Sequence, residues 1–414
     1  MFVAQGDPCV ILSRVRAAFD AGELRTRDFL WRDARRGWFQ FDDCNALQML
    51  TNQGSSRLER ALSPKVFQEN EDWEGQCRVL RFLAEEWVDP NTLLLVRYTR
   101  YWHGYNVVPA LALRYIELRD LRRVLAGAVW LAIGTLAFAS LRSGPRARRA
   151  GVIIALVAAT VWAVPYFAPG LTQGPGDALL LLGLAAIAAW PRMTVGLGTI
   201  VPYAAGFGAA AVFFEMMTGK LPTAIAWLAA MTLAAARDQS RPGRVAAPKV
   251  ALAAVAAFCL AAAATVIAKL ILTAVLVEPQ AGTDFLARLR LYVGVPEYYS
   301  RWLGKAEANL PGILLPFARL FRQTGMLTYG SGRAGYALVG VTGLAWLAAA
   351  ILGWRARHIE RGQDMLILLG ASLVPVVWVL LLPRHAYIHA QFIVRMLVVP
   401  TSLAPLALCW PRQD

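Results

Sequence analysis

The feature that most constrains this chain is a row of long apolar runs that fills residues 121 to 410. A run of about 18 or more apolar residues, wound at 1.5 Å per residue, matches the roughly 30 Å hydrocarbon core of a bilayer. In lipid every backbone group must find its partner inside the chain, so runs of this length become helices. Spans are read at 121–141, 150–168, 177–191, 194–214, 222–236, 250–277, 336–353, 364–382 and 393–410. Residues 1–120 are different: mixed, charged and without such runs. Hydrophobic residues make up 57% of the chain, above the roughly 45–50% of soluble domains. The expected fold is therefore all-α and polytopic, with about nine transmembrane helices. Residues 1–120 form an extracytoplasmic helical head in this reading. Residues 121–414 form the membrane domain, with a long outer loop at 278–335.

Charge assigns the sides. The net charge is +15, from 42 Lys+Arg against 27 Asp+Glu. The basic residues gather in short loops beside apolar runs, a topological signature rather than a nucleic-acid footprint. Arg142, Arg146, Arg148 and Arg149, then Arg192, then Arg237, Arg241, Arg244 and Lys249, then Arg355, Arg357 and Arg361 occupy alternate loops. These loops belong in the cytoplasm, which places the C-terminus inside and residues 1–120 outside. Residues 1–20 hold no apolar stretch of signal or anchor length, so either a further transmembrane helix is expected upstream, the favoured reading, or the head is cytoplasmic and the charge rule fails. Cys44 and Cys77 both fall in the head. Outside the cytoplasm they could form a disulfide, and two unpaired thiols remain the alternative.

Three polar clusters fall on the outer side. The first is Asp42-Asp43, preceded by Trp38, Phe39 and Phe41. Adjacent carboxylates beside rings suit a general base or a metal ligand, and equally suit a helix cap. The second contains Arg100, Tyr101, Trp102, His103 and Tyr105, a density of rings that suits an interfacial belt or sugar stacking. The third contains His385, His389 and Arg395, the two histidines sharing one helical face at i, i+4. Lys269 lies about 12 Å inside its span, a costly depth for a cation. Glu215 ends the fourth span. Cations can hold a phosphate, a carboxylate can take a hydroxyl proton, and rings can hold a sugar.

With these residues in view, the chain resembles the GT-C superfamily of polytopic glycosyltransferases that use polyprenyl-phosphate sugars. The resemblance rests on layout and on Phe41-Asp42-Asp43-Cys44-Asn45 as the acidic motif of an outer loop. The segments Trp38–Leu50, Arg100–Asn106 and His385–Arg395, with Glu215 through Pro222, are similar to an uncharacterised bacterial group of GT-C-like proteins. The resemblance implies that Asp43 or Asp42 is the catalytic base, possibly with a divalent metal. It implies substrate or phosphate contacts from Arg395, Lys269, His385, His389, Arg100, Tyr101, Trp102, His103, Tyr105 and Glu215. The partners would be a polyprenyl-phosphate-linked sugar, membrane lipid and a glycan or lipid acceptor of the cell envelope, with no nucleic acid. The site would be at the outer face of the inner membrane. Two other readings stay open: a transporter or flippase for a lipid-linked or small anionic substrate, and a non-catalytic assembly subunit. Spans almost without carboxylates count against ion coupling.

Overall fold

A computed structural model describes residues 7–27, 40–51, 56–67, 75–85, 95–99, 101–162, 164–214, 219–297, 309–329, 332–356 and 360–410. The head comprises α1 (Pro8–Asp20), α2 (Gln40–Thr51), α3 (Arg57–Leu62), β1 (Lys65–Phe67), α4 (Gln76–Ala84), β2 (Leu95–Arg97) and α5 (Val107–Ala112). The body follows with α6 (Leu118–Leu141), α7 (Pro145–Thr160), α8 (Val164–Phe167), α9 (Gly174–Ala189), α10 (Leu197–Phe214), α11 (Lys220–Asp238) and α12 (Ala247–Leu276). It ends with α13 (Ala281–Val293), α14 (Leu315–Tyr329), α15 (Gly332–Arg355), α16 (Glu360–Ser372), α17 (Val374–Leu381), α18 (Pro383–Ile388), α19 (Ala390–Ile393) and α20 (Val398–Leu408).

Local chemistry sets the helix starts. Asp7 accepts from the Cys9 amide at 3.0 Å, and Pro8 needs no amide partner in the first turn of α1. Ser56 and Glu59 form a reciprocal capping box at α3. Helix α7 borrows its cap from another element: the Asp238 carboxylate at the end of α11 accepts from the Arg146 and Ala147 amides. One strand pair, β1 against β2, is antiparallel with Lys65 opposite Arg97. This small sheet is an addition to the all-α expectation.

Among the described residues, five helices are long and apolar enough to cross a membrane: Leu118–Leu141, Leu197–Phe214, Ala247–Leu276, Gly335–Arg355 and the run Glu360–Leu381. The chain is thus a largely helical, membrane-embedded protein. Each of the nine segments read from sequence coincides at least in part with helix, but among the described residues only these five combine that length with that apolarity. Segment 150–168 divides into α7 and α8, and 364–382 joins α16 to α17. Leu131, Leu252, Leu260, Val275, Val341 and Leu344 are mostly exposed on these helices, an arrangement that lipid accommodates and water penalises. Helix α11 is the reverse, buried along nearly its whole length, with Trp227 edge-on to Trp162 at 5.5 Å.

The two ends of the bundle differ. At one end the arginine-bearing turns meet: Ser143 donates to the Ala188 carbonyl, Arg149 to that of Cys409, and Arg237 pairs with Asp364 at 2.9 Å. The head packs on the other end, beside the starts of α6, α9 and α11. Cys44 and Cys77 form a disulfide that joins α2 to α4, resolving the alternatives left open by sequence.

Candidate functional site

Helix α2, QFDDCNALQMLT, is buried on every side. At about 100° per residue its side chains turn to different neighbours. Cys44 and Gln48 point to α4 and β1, Asp43 to Arg122 of α6, Asp42 to Gln173, and Ala46 and Met49 to the segment around Tyr105. The disulfide fixes the first face. Gln48 strengthens it, donating to the Gln76 carbonyl at 2.8 Å and accepting from the Phe67 amide at 3.1 Å. A helix held on one side in this way presents its two carboxylates in fixed positions.

Asp43 accepts from Arg122 Nη2 at 2.7 Å and from the Leu171 amide at 2.8 Å. Arg122 also donates to the Glu23 carbonyl at 2.9 Å. Asp42 accepts from Gln173 Nε2 at 3.1 Å. The other end of the same amide, Gln173 Oε1, accepts from Arg395 Nη1 at 3.1 Å. Arg395 also pairs with Asp177 through Nη2. Its guanidinium stands 4.4 Å from the ring centroids of both Trp162 and Phe167. Lys220 completes the group, donating to the Gln173 carbonyl at 3.0 Å and lying 3.6 Å from Asp177. Gly176 makes room for it: a Cβ there would sit 2.7 Å from Lys220 Nζ. Gly219, one residue before, adopts φ 92, a backbone region glycine enters without steric cost.

The electrostatics separate the two carboxylates. Burial pushes the Asp42 carboxyl up to about 7, opposed by the Gln173 hydrogen bond, reinforced by Asp43 and opposed again by Lys220. Burial also raises Asp43, against the Arg122 guanidinium and the Leu171 amide. Asp43 has both oxygens engaged in holding elements together. Asp42 is the carboxylate poised to exchange a proton near neutral pH.

Sequence reasoning placed Asp42, Asp43 and Arg395 on one face, and the structure joins them into one network. It missed Arg122, Gln173, Asp177 and Lys220 as members. The remaining candidates lie in other contacts. Lys269 donates to the Leu62 carbonyl and to Thr273 at 3.0 Å, and stands 5.9 Å from the Trp102 ring. It fastens the head to α12 rather than joining the carboxylates. His385 stacks 4.5 Å from Tyr292 and 4.7 Å from His389, and no described contact links either histidine to Asp42 or Asp43. His103 bonds Tyr105 and the Tyr98 carbonyl, both at 2.7 Å, and Tyr101 and Tyr105 pack on Ala46 of α2. Trp102 donates to the Thr265 carbonyl at 2.8 Å. Arg100 and Glu215 lie outside the described residues.

The described residues do not fit the expected divalent metal. No three His, Cys, Asp or Glu side chains among them converge as ligands. Asp42 and Asp43 face Gln173, Arg122 and Lys220 instead, a set of donors and cations. Ile393 and Met396, sequence neighbours of Arg395, help line a partly open apolar cavity of about 180 Å³ together with Phe317, Leu338, Trp346 and Val379. In comparison with known proteins, no family model matches the chain, and neither does any curated protein or solved structure.

Proposed function

We propose that this chain is a membrane glycosyltransferase of GT-C type. It moves a sugar from a polyprenyl-phosphate donor to a cell-envelope glycan or lipid acceptor at the outer face of the cytoplasmic membrane. One observation carries the reading: a single amide, Gln173, holds the proton-accepting Asp42 at one end and Arg395 at the other. The acceptor oxygen forms its bond to the anomeric carbon while the bond from that carbon to the phosphate oxygen breaks. Asp42 takes the acceptor's proton. Arg395 and Lys220 stabilise the charge on the departing polyprenyl phosphate. The apolar cavity lined by Ile393 and Met396 takes part of the isoprenoid chain.

The placement outside the cytoplasm has two independent supports. The head carries a disulfide, which persists in oxidising compartments. The arginine-bearing turns occupy the end of the bundle opposite the head. The four shorter apolar segments complete about nine crossings in this reading.

The test is transfer by membranes containing the full-length protein, with a panel of tagged polyprenyl-phosphate monosaccharides. Wild type transfers label to envelope acceptors and Asp42→Asn does not, at equal expression. Transfer retained by Asp42→Asn sinks the assignment of the base. No transfer from any donor sinks the enzyme reading.

A transporter of an anionic substrate gains one specific support. The expectation that the spans are almost free of carboxylates overlooked Asp177 and Asp364, both buried, the first coupled to Arg395 and Lys220. Substrate uptake into vesicles without a glycosyl donor favours that reading instead.

A further inference from the structure

Two buried amide oxygens, one on the Asp42 face of α2 and one packed against Met49 two turns further along it, have no hydrogen-bond partner among the described residues. Asn45 is 2% exposed and Asn106 is 8% exposed. Neither Asn45 Oδ1 nor Asn106 Oδ1 has a hydrogen-bond partner among the described residues. An unpaired buried acceptor is costly, so a protein that keeps two on the same side of one helix is expected to use them. Their placement follows from the helix. Asn45 lies three residues beyond Asp42 and Met49 four beyond Asn45, which puts all three on one face of α2. Asn106 joins that face through its Nδ2, which donates to Met49 Sδ at 3.5 Å. The same face carries Ala46, packed on Tyr101 and Tyr105. The Tyr105 hydroxyl is engaged by His103 at 2.7 Å. His103 itself sits at φ 54, a strained value for a non-glycine residue.

We infer that Asn45 and Asn106 form an acceptor subsite that reads the hydroxyls of a saccharide. Amide oxygens accept only, so the ligand must bring O–H or N–H donors. A sugar supplies several such hydroxyls in fixed relation. A phosphate or carboxylate ligand does not fit, because it would meet acceptor against acceptor. The inference rests on the transferase reading and gives its acceptor a chemical class. The hydroxyl that loses its proton to Asp42 belongs to the same sugar whose neighbouring hydroxyls the two asparagines hold.

The test uses the full-length protein in lipid nanodiscs and a panel of free pentoses and hexoses. Thermal stabilisation is followed against sugar concentration for wild type, Asn45→Leu and Asn106→Leu. Leucine matches asparagine in shape and removes the orphan oxygen, so a purely structural position keeps or gains Tm. At least one sugar is expected to stabilise wild type. The half-saturating concentration is expected to rise about tenfold in each variant, the loss of one hydrogen bond. Alanine at each position provides the second pair where leucine does not fold. No stabilisation of wild type by any sugar overturns the subsite, and so does an unchanged half-saturation in the variants. Sugar binding that follows the asparagines, with no transfer from any polyprenyl donor, leaves the subsite standing and removes the transferase. Transfer that proceeds indifferent to both asparagines does the opposite.

Discussion

Replacing Asp42 by asparagine should make the protein more stable at pH 8 while abolishing its activity. The carboxyl ordinarily titrates at 3.8, and burial holds it near 7 in the folded chain. Between those values the folded protein keeps a proton that the unfolded chain has released. Stability therefore falls as pH rises through this window and levels off above about 7. At about 1.36 kcal/mol per pH unit the gap sets a ceiling of about 4 kcal/mol. Relaxation around the ionised carboxylate brings the expected cost to about half that ceiling. Asparagine has no charge to desolvate and still offers Gln173 an acceptor oxygen. The difference in Tm between Asp42→Asn and wild type should be smallest at pH 4.5, where only about a quarter of the effect has developed. It should grow to a few degrees by pH 8. Asp43 is also raised by burial, but it is common to both proteins and largely cancels. The assay is intrinsic tryptophan fluorescence during heating in one detergent across pH 4.5–8.5. A Tm difference that stays constant with pH would refute the reasoning, because Asp42 would then be ionised throughout or have no proton to release.

Three further outcomes follow from the same geometry. Arg395→Gln leaves Asp177 buried with only Lys220 beside it, and should cost about 3–5 kcal/mol; adding Asp177→Asn should recover part of the lost Tm, and no recovery would show that the two do not act as a pair. Cys44→Ser or Cys77→Ser opens a disulfide between residues 33 apart, at a cost of about 3–4 kcal/mol; adding reductant should lower the wild-type Tm by a similar amount and leave the variants unmoved. A reporter fused within Arg57–Leu62 should read out as external; an internal signal would separate the head from the oxidising side and remove the transferase reading.

The parts of the fold visible in sequence were those set by one dimension. Apolar length marked the helices of the body, and alternating arginine loops matched the end where Ser143, Arg149 and Arg237 make their contacts. The site was visible only where its residues stood out against neighbours of the same sort. Asp42-Asp43 is an adjacent acidic pair, and Arg395 a cation in an apolar run. Gln173 gave no such signal, since it sits in a loop of prolines and glycines and carries no charge. Asp177 stands at the edge of an apolar run, where a first-turn carboxylate reads as helix capping; its burial against Arg395 is a tertiary fact. Arg122 looked like the polar flank of a span and is instead the partner of Asp43. Lys269 was misread for the opposite reason. Depth in a span correctly marked it as unusual, but depth alone does not distinguish a ligand site from a peg, and its ammonium holds the Leu62 carbonyl of the head. Each buried charge had to be explained by a partner, and sequence gives the charge without the partner. The Asn45 and Asn106 oxygens invert that case: no described residue supplies them a partner, which is why the donor proposed for them is a ligand's hydroxyl.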